Sequence, residues 1–154
     1  LNGVEFGLSA NFNFLRGNFG KMIKLISMMT RYNAPDIKIK MGDVIKESKT
    51  LFLTISNGGY SGGGFHVAPN ADFGDRLFDV CIAKFPGKAK FIYHIPKIFK
   101  GKHTNLPYFS FLKTPVLEVD CINPISVTYD GETMEDRAPY KINIADNRLS
   151  VKTA

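Results

Sequence analysis

Cysteine is scarce in this chain: Cys81 and Cys121 are the only two among 154 residues. Their spacing suits no zinc site and each lies in an apolar run, so neither a disulfide scaffold nor a zinc module frames the fold. The pair reads as reduced thiols in the core of an intracellular protein. Long apolar runs are also missing. A stretch such as Leu51–Ile55 falls far short of the roughly 18 residues needed to cross a bilayer. Leu1–Leu15 carries neither a basic head nor an apolar block, so no secretory signal is expected there. The first residue is Leu1 rather than Met, which leads us to expect a piece of a longer protein. Acid is in short supply too. Lys and Arg number 20 against 14 Asp and Glu, a net charge of +6, and Lys84–His103 holds no acid at all.

What is present is an ordinary globular mixture, 44% apolar and 22% charged, which excludes a disordered chain. A chain of this length is expected to form one domain and to hide roughly 70% of its unfolded surface. Glycine (14), Phe (13) and β-branched residues fall into short runs broken by Gly, Pro, Asn and Asp. Such runs predict strands at Gly3–Asn13, Asp36–Met41, Val44–Lys46, Leu51–Ser56, Phe65–Ala68, Leu77–Phe85, Tyr108–Lys113, Val116–Cys121, Ser126–Tyr129, Ala138–Ile144 and Arg148–Lys152. Their spacing, about ten residues, suits a mostly β fold, a two-sheet antiparallel β-sandwich with one or two short helices. The first helix is expected over Gly20–Tyr32, with Phe19, Met22, Ile23, Ile26 and Met29 on one face and a stop at Asn33-Ala34-Pro35. Its methionines suit either packing on a sheet or a pliable lipid-facing wall. A second helical spacing, Phe91, Ile92, Ile95, Ile98 and Phe99, runs over Lys88–Phe99, where Pro96 is expected to kink or split it.

Four segments can carry chemistry. Asn57–Phe65 places five glycines within seven residues. Glycine lets backbone N–H groups approach a ligand closely. There is no Walker-type Lys-Ser/Thr ending and no helix expected to follow, so taken alone this is first a connecting loop. In Ala68–Leu77, Asp72 and Asp75 stand three apart around a glycine, an oxygen-rich turn of the kind that takes Mg²⁺ or Ca²⁺, or simply a pair of solvated carboxylates. Tyr129-Asp130-Gly131-Glu132 contains Asp-Gly, the strongest local hairpin signal. The hairpin accounts for Asp130 and Gly131 but not for Glu132, a carboxylate placed where a general base can work. Lys84–His103 interleaves six lysines and two histidines with Phe85, Phe91, Tyr93 and Phe99. It is either a solvated basic face or an attractor for an anionic membrane or nucleic acid. His66, His94 and His103 are too scattered for a metal set.

Taken in order, Asn57…Gly63-Gly64-Phe65-His66-Val67-Ala68-Pro69-Asn70-Ala71, then Asp75…Leu77-Phe78-Asp79-Val80, then Gly101-Lys102-His103, then Tyr129-Asp130-Gly131-Glu132 resembles the C-terminal half of the diacylglycerol kinase / sphingosine kinase superfamily. The bacterial diacylglycerol kinases and related lipid kinases are the nearest group. The resemblance runs from Gly3 to Val151. It implies a β-sandwich with short helices that forms, over residues 1–154, the lipid-binding and catalytic-base half of a two-domain lipid kinase. The N-terminal ATP-binding domain, with its Gly-Gly-Asp-Gly-Thr loop, is absent from this chain. The resemblance further implies an ATP-dependent enzyme that passes the γ-phosphate to the hydroxyl of a neutral lipid such as diacylglycerol. Glu132 or Asp130 would take the hydroxyl proton. A structural Mg²⁺ would sit on the Asp75 side chain and the carbonyls of Asp72 and Leu77. The family carries Asp-Gly-Leu where this chain has Asp75-Arg76-Leu77; glycine there frees the backbone angles, and Arg76 brings a positive charge to the turn.

ATP is then a co-substrate held mainly by the missing domain, and the fragment alone is expected to be inactive. Its expected partners are the neutral lipid, an anionic membrane surface and its own N-terminal domain; a homo-oligomer stays open. The expected location is cytoplasmic and peripheral at the membrane. The rival reading is a non-enzymatic basic β-domain that binds an anionic membrane or nucleic acid. Glu132 argues against it, since a non-catalytic domain has no use for an acid in that place. Nucleic acid is not expected as a partner, because no ordered aromatic platform for stacking is visible.

Overall fold

The computed structural model of the protein describes residues 3–8, 10, 18–61, 66–134 and 138–144. In chain order the elements are β1 (Gly3–Gly7), α1 (Asn18–Arg31), β2 (Asp36–Met41), β3 (Val44–Ser56), β4 (Phe78–Lys84), α2 (Lys88–Phe99), β5 (Phe109–Thr114), β6 (Val116–Cys121), β7 (Val127–Tyr129), β8 (Glu132–Met134) and β9 (Tyr140–Asn143). The chain is mostly β with two short helices, as the run pattern predicts. The two separate sheets of a sandwich are not what forms. The described strands make one nine-stranded antiparallel sheet, ordered β8-β7-β1-β3-β2-β6-β9, with β4 on β3 and β5 on β4, curled on itself like a half-barrel.

The 13-residue β3 is the reason. Val44–Lys49 pairs with β2, while Thr50–Ser56 pairs with β4 on one edge and, from Phe52, with β1 on the other. A register shift between Thr50 and Phe52 marks the change of partners. An irregularity of this kind bends a strand and sharpens its twist. The expected strands Val44–Lys46 and Leu51–Ser56 are therefore two halves of one strand shared by both parts of the sheet. Inside the curl, Val4, Phe6, Leu53, Ile55, Val80 and Ile82 face Ile37, Ile39, Leu117, Val119 and Ile142 in one core. On the outer face Phe52, Cys81, Ala83 and Phe109 pack against Leu25 and Met29 of α1 and Phe91, Ile95 and Ile98 of α2 in a second. The second half of β3 lies between these two layers and is buried on both faces.

Local expectations are corrected at five places. The buried face of α1 is carried by Leu25 and Met29, whereas Ile23 is 53% exposed; Phe19 and Met22 lie outside the described side chains. Helix α2 continues through Pro96 because its anchors Ile95 and Ile98 hold it on the sheet from both sides. Residues 66–68 form no strand: Ala68 N–H bonds the Gly59 carbonyl at 3.1 Å and the segment is tied to its own loop instead of a ladder. Glu132–Met134 is a strand that the alternation did not predict. The first expected strand ends at Gly7; its remainder beyond Ala10, Phe65 and the expected strand Arg148–Lys152 lie outside the described residues. Both cysteines are free thiols, Cys81 buried and Cys121 half-buried, and burial pushes the Cys81 thiol far up.

Candidate functional site

The β7–β8 hairpin is built by its turn. Tyr129 and Glu132 face each other across it, and the two residues between them have positive φ, 47° at Asp130 and 92° at Gly131. That is a type I′ turn, whose twist matches the flanking strands and which favours Asp followed by Gly. The hairpin is also anchored at long range. Asp130 N–H donates to the Gly3 carbonyl at 3.0 Å, and Gly3 N–H donates back to Asp130 Oδ1 at 2.8 Å. Asp130 is therefore engaged in holding the hairpin to β1. Glu132, one residue past the turn, is exposed on that anchored edge.

The turn before β4 is shaped by two carboxylates that fold back on their own backbone. Asp72 Oδ1 accepts from Gly74 N–H at 2.8 Å, and Asp75 Oδ1 accepts from Leu77 N–H at 2.9 Å. Arg76 between them has φ 59°, the left-handed region that glycine adopts at no steric cost. That would be the backbone reason for the glycine that the resemblance implies at this place. Beyond it, the β4–β5 register sets Lys113 directly opposite Asp79. The Lys113 ammonium lies 2.6 Å from Asp75 Oδ2 and 3.4 Å from Asp79 Oδ1. Its hydrogen bond, followed by that of Leu77, holds the Asp75 carboxyl below the ordinary range. Burial pushes Asp79 the other way, and Asp79 Oδ2 is buried without a partner. As arranged, the carboxylates of this turn already have partners within the chain. Both Asp75 oxygens are engaged, one of them by a cation of the chain itself, and no group of three or more His, Cys, Asp or Glu among the described residues is set to hold a metal.

The register joins the two places. Lys113 on β5 faces Asp79 on β4, Asp79 faces Ser56 on β3, and Ser56 faces Gly3 on β1, where Asp130 is bound. One cross-strand row thus runs from the carboxylate turn to the hairpin. The next row carries Cys81, Thr54, Glu5 and Thr128 on the same face. Glu5, Thr54, Ser56, Thr128 and Asp79 are all buried, although the same face is apolar farther along at Phe52, Ala83 and Phe109. Ser61, from the glycine-rich loop, donates its hydroxyl to Glu5. Sequence reasoning missed this polar strip. Its signal was there in the Thr and Ser that interrupt the apolar run Leu51-Phe52-Leu53-Thr54-Ile55-Ser56.

The fold also brings the glycine-rich loop to the Gly101-Lys102-His103 segment. The His66 ring stacks on Tyr60 with centroids 4.4 Å apart. It lies so close to Gly101 that a Cβ there would come within 2.5 Å of His66 Nδ1. His103 is fully buried, and its Nε2 lies 3.2 Å from the Val67 carbonyl. Burial holds its pKa below the ordinary value. Residues 62–65 of the loop lie outside the described residues. In Lys84–His103 the two kinds of basic residue separate: all six lysines are exposed, and His94 and His103 are buried. Lys88 Nζ caps α1 by donating to the Thr30 carbonyl at 2.7 Å. Lys90, Tyr93 and Lys97 stand exposed along α2, and Lys100 just past its end. No helix among the described residues is long and apolar enough to cross a membrane.

Comparison with known proteins finds a match over residues 7–153 to the family described as the YegS C-terminal NAD kinase beta sandwich-like domain. A diacylglycerol kinase of Mycobacterium tuberculosis (strain ATCC 25618 / H37Rv) is 37% identical over 71 residues, 46% of this chain and 23% of that protein. A diacylglycerol kinase of Bacillus subtilis (strain 168) is 24% identical over 135 residues, 86% of this chain and 44% of that protein. The chain thus spans less than half the length of these curated relatives. Among solved structures, a diacylglycerol kinase from Bacillus anthracis str. Sterne superposes with a TM-score of 0.56 at 18% identity, covering 87% of this chain and 43% of that one. Another solved chain from the same organism reaches 0.66 at 20% identity, covering 93% and 49%. At these identities the structures speak for the fold.

Proposed function

Because the chain belongs to the family of YegS C-terminal, NAD kinase beta sandwich-like domains, a branch of the diacylglycerol and lipid kinase superfamily, we propose that it is the lipid-binding and catalytic-base half of an ATP-dependent kinase acting on a neutral lipid such as diacylglycerol. The observation that carries this reading is the division of labour in the hairpin. Asp130 is bound to β1, which leaves Glu132, exposed one residue beyond a fixed turn, as the carboxylate able to meet a substrate. A lipid hydroxyl is a poor nucleophile at neutral pH. In this scheme Glu132 accepts its proton as the oxygen attacks the γ-phosphate of ATP, a P–O bond forms to the lipid, and the bond to the leaving ADP breaks.

In this scheme the nucleotide and its Mg²⁺ enter as co-substrate on an N-terminal domain of the full-length kinase, outside these 154 residues, which on this reading do not transfer phosphate by themselves. The apolar layer between the sheet and the helices, with Ile26, Met28, Phe85 and Ile92 only partly buried at its border, is the proposed seat of the acyl chains. Six exposed lysines over Lys84–Lys102 bring the protein to an anionic membrane from the cytoplasmic side. The test is Glu132→Gln in the full-length protein, which keeps the shape and removes the base. It should lower kcat by about 10²–10⁴-fold while KM for lipid and ATP changes little. Unchanged kcat would refute the assignment.

A further inference from the structure

The turn before β4 has the outline of a cation site, yet a cation of the chain already lies in it. The antiparallel register of β4 and β5 fixes Lys113 opposite Asp79. From there its ammonium reaches Asp75 Oδ2 at 2.6 Å and Asp79 Oδ1 at 3.4 Å. The other Asp75 oxygen accepts from Leu77 N–H, and Asp72 turns inward on Gly74. A divalent ion on Asp75 would share its oxygen with an ammonium. We infer that Lys113 supplies from within the chain the positive charge that the resemblance assigns to Mg²⁺ at this turn, so that the joint between the Asp75 turn, β4 and β5 forms without metal.

The chemistry supports the exchange in one direction. An ammonium satisfies two carboxylates through charge-assisted hydrogen bonds and needs no fixed octahedral shell. Remove it, and two carboxylates face each other beside Ser56, whose hydroxyl, like Asp79 Oδ2, is buried without a partner. That is an oxygen-rich pocket suited to a hard divalent ion. The consequence reaches past the turn. The Asp79–Ser56–Gly3 row that leads to Asp130 is then assembled independently of the Mg²⁺ concentration. This inference concerns the fold's own charge and holds whether or not the protein acts on a lipid.

The test is a Mn²⁺ titration of the full-length, nucleotide-free protein, read by amide NMR at Gly74 and Leu77 and by thermal melting. In the wild type, Mn²⁺ should leave both amides sharp, and melting should be the same in chelator and in Mg²⁺. Lys113→Ala should melt lower in chelator, regain stability with Mg²⁺ or Mn²⁺, and show Leu77 broadened by Mn²⁺. Broadening of Leu77 in the wild type overturns the inference. So does a Lys113→Ala protein that is as stable as the wild type without metal. Should Lys113→Ala fail to fold, the wild-type titration decides alone.

Discussion

Replacing Asp130 by Ala takes away two things that the β7–β8 hairpin uses. The first is a side chain at ease in the left-handed region, where the backbone sits at φ 47°; an ordinary L-residue pays roughly 1–2 kcal/mol there. The second is the acceptor for Gly3 N–H at 2.8 Å. That bond is exposed, so its loss falls toward the lower end of the about 0.5–1.5 kcal/mol typical of a protein hydrogen bond. Together the loss comes to about 2 kcal/mol. Asp130→Asn keeps both features, since Asn tolerates the left-handed region and retains Oδ1 as an acceptor. It should stay within about 0.5 kcal/mol of the wild type. Urea unfolding of the three full-length proteins measures the difference, with the midpoint falling for Asp130→Ala at unchanged slope. The same proteins carry the functional corollary: Asp130→Asn stays active as a kinase, and Asp130→Ala loses activity because Glu132 is no longer held in place. Equal stability of the Ala and Asn variants would refute the structural role. An inactive Asp130→Asn beside an active Glu132→Gln would exchange the roles of the two carboxylates.

His103 supplies a pH prediction. Burial lowers its pKa in the fold, so the folded state favours the neutral ring. The associated stability is fully present above the unfolded value of about 6.5 and is lost as pH falls through the lower folded value. An NMR titration should place its midpoint below that of a free histidine, and His103→Gln should flatten the loss of stability as pH falls below about 6.5; a midpoint at or above about 6.5 would contradict the burial argument. The exposed lysines on α2 and at its C-terminal end supply a third prediction. At about 1 kcal/mol per lysine near an anionic bilayer, replacing Lys90, Lys97 and Lys100 by Gln should weaken vesicle binding roughly a hundredfold. Salt should weaken it further, and equal binding of the wild type to neutral vesicles would remove the electrostatic basis.

The sequence by itself determined what depends on neighbours along the chain. Asp130-Gly131 specifies its turn because it is one of the few pairs that accept two left-handed residues cheaply. The run Phe91, Ile92, Ile95 and Ile98 specifies α2 because its period is helical, and β2 and β6 matched their expected ends residue for residue. The order of the motifs was enough to indicate the family. Tertiary structure decided whatever depends on which strand lies beside which. Alternation shows that Val44–Lys46 and Leu51–Ser56 are extended; it does not show that they are one strand with different partners along its length. Likewise Asp75 and Asp79 are legible as carboxylates, but Lys113 joins them only because the register sets β5 against β4. Gly3 reaches Asp130 across 127 residues of chain for the same kind of reason. Turn chemistry is local and is written in adjacent residues, whereas register is fixed by which faces bury together, and that is settled only when the whole sheet curls around its core.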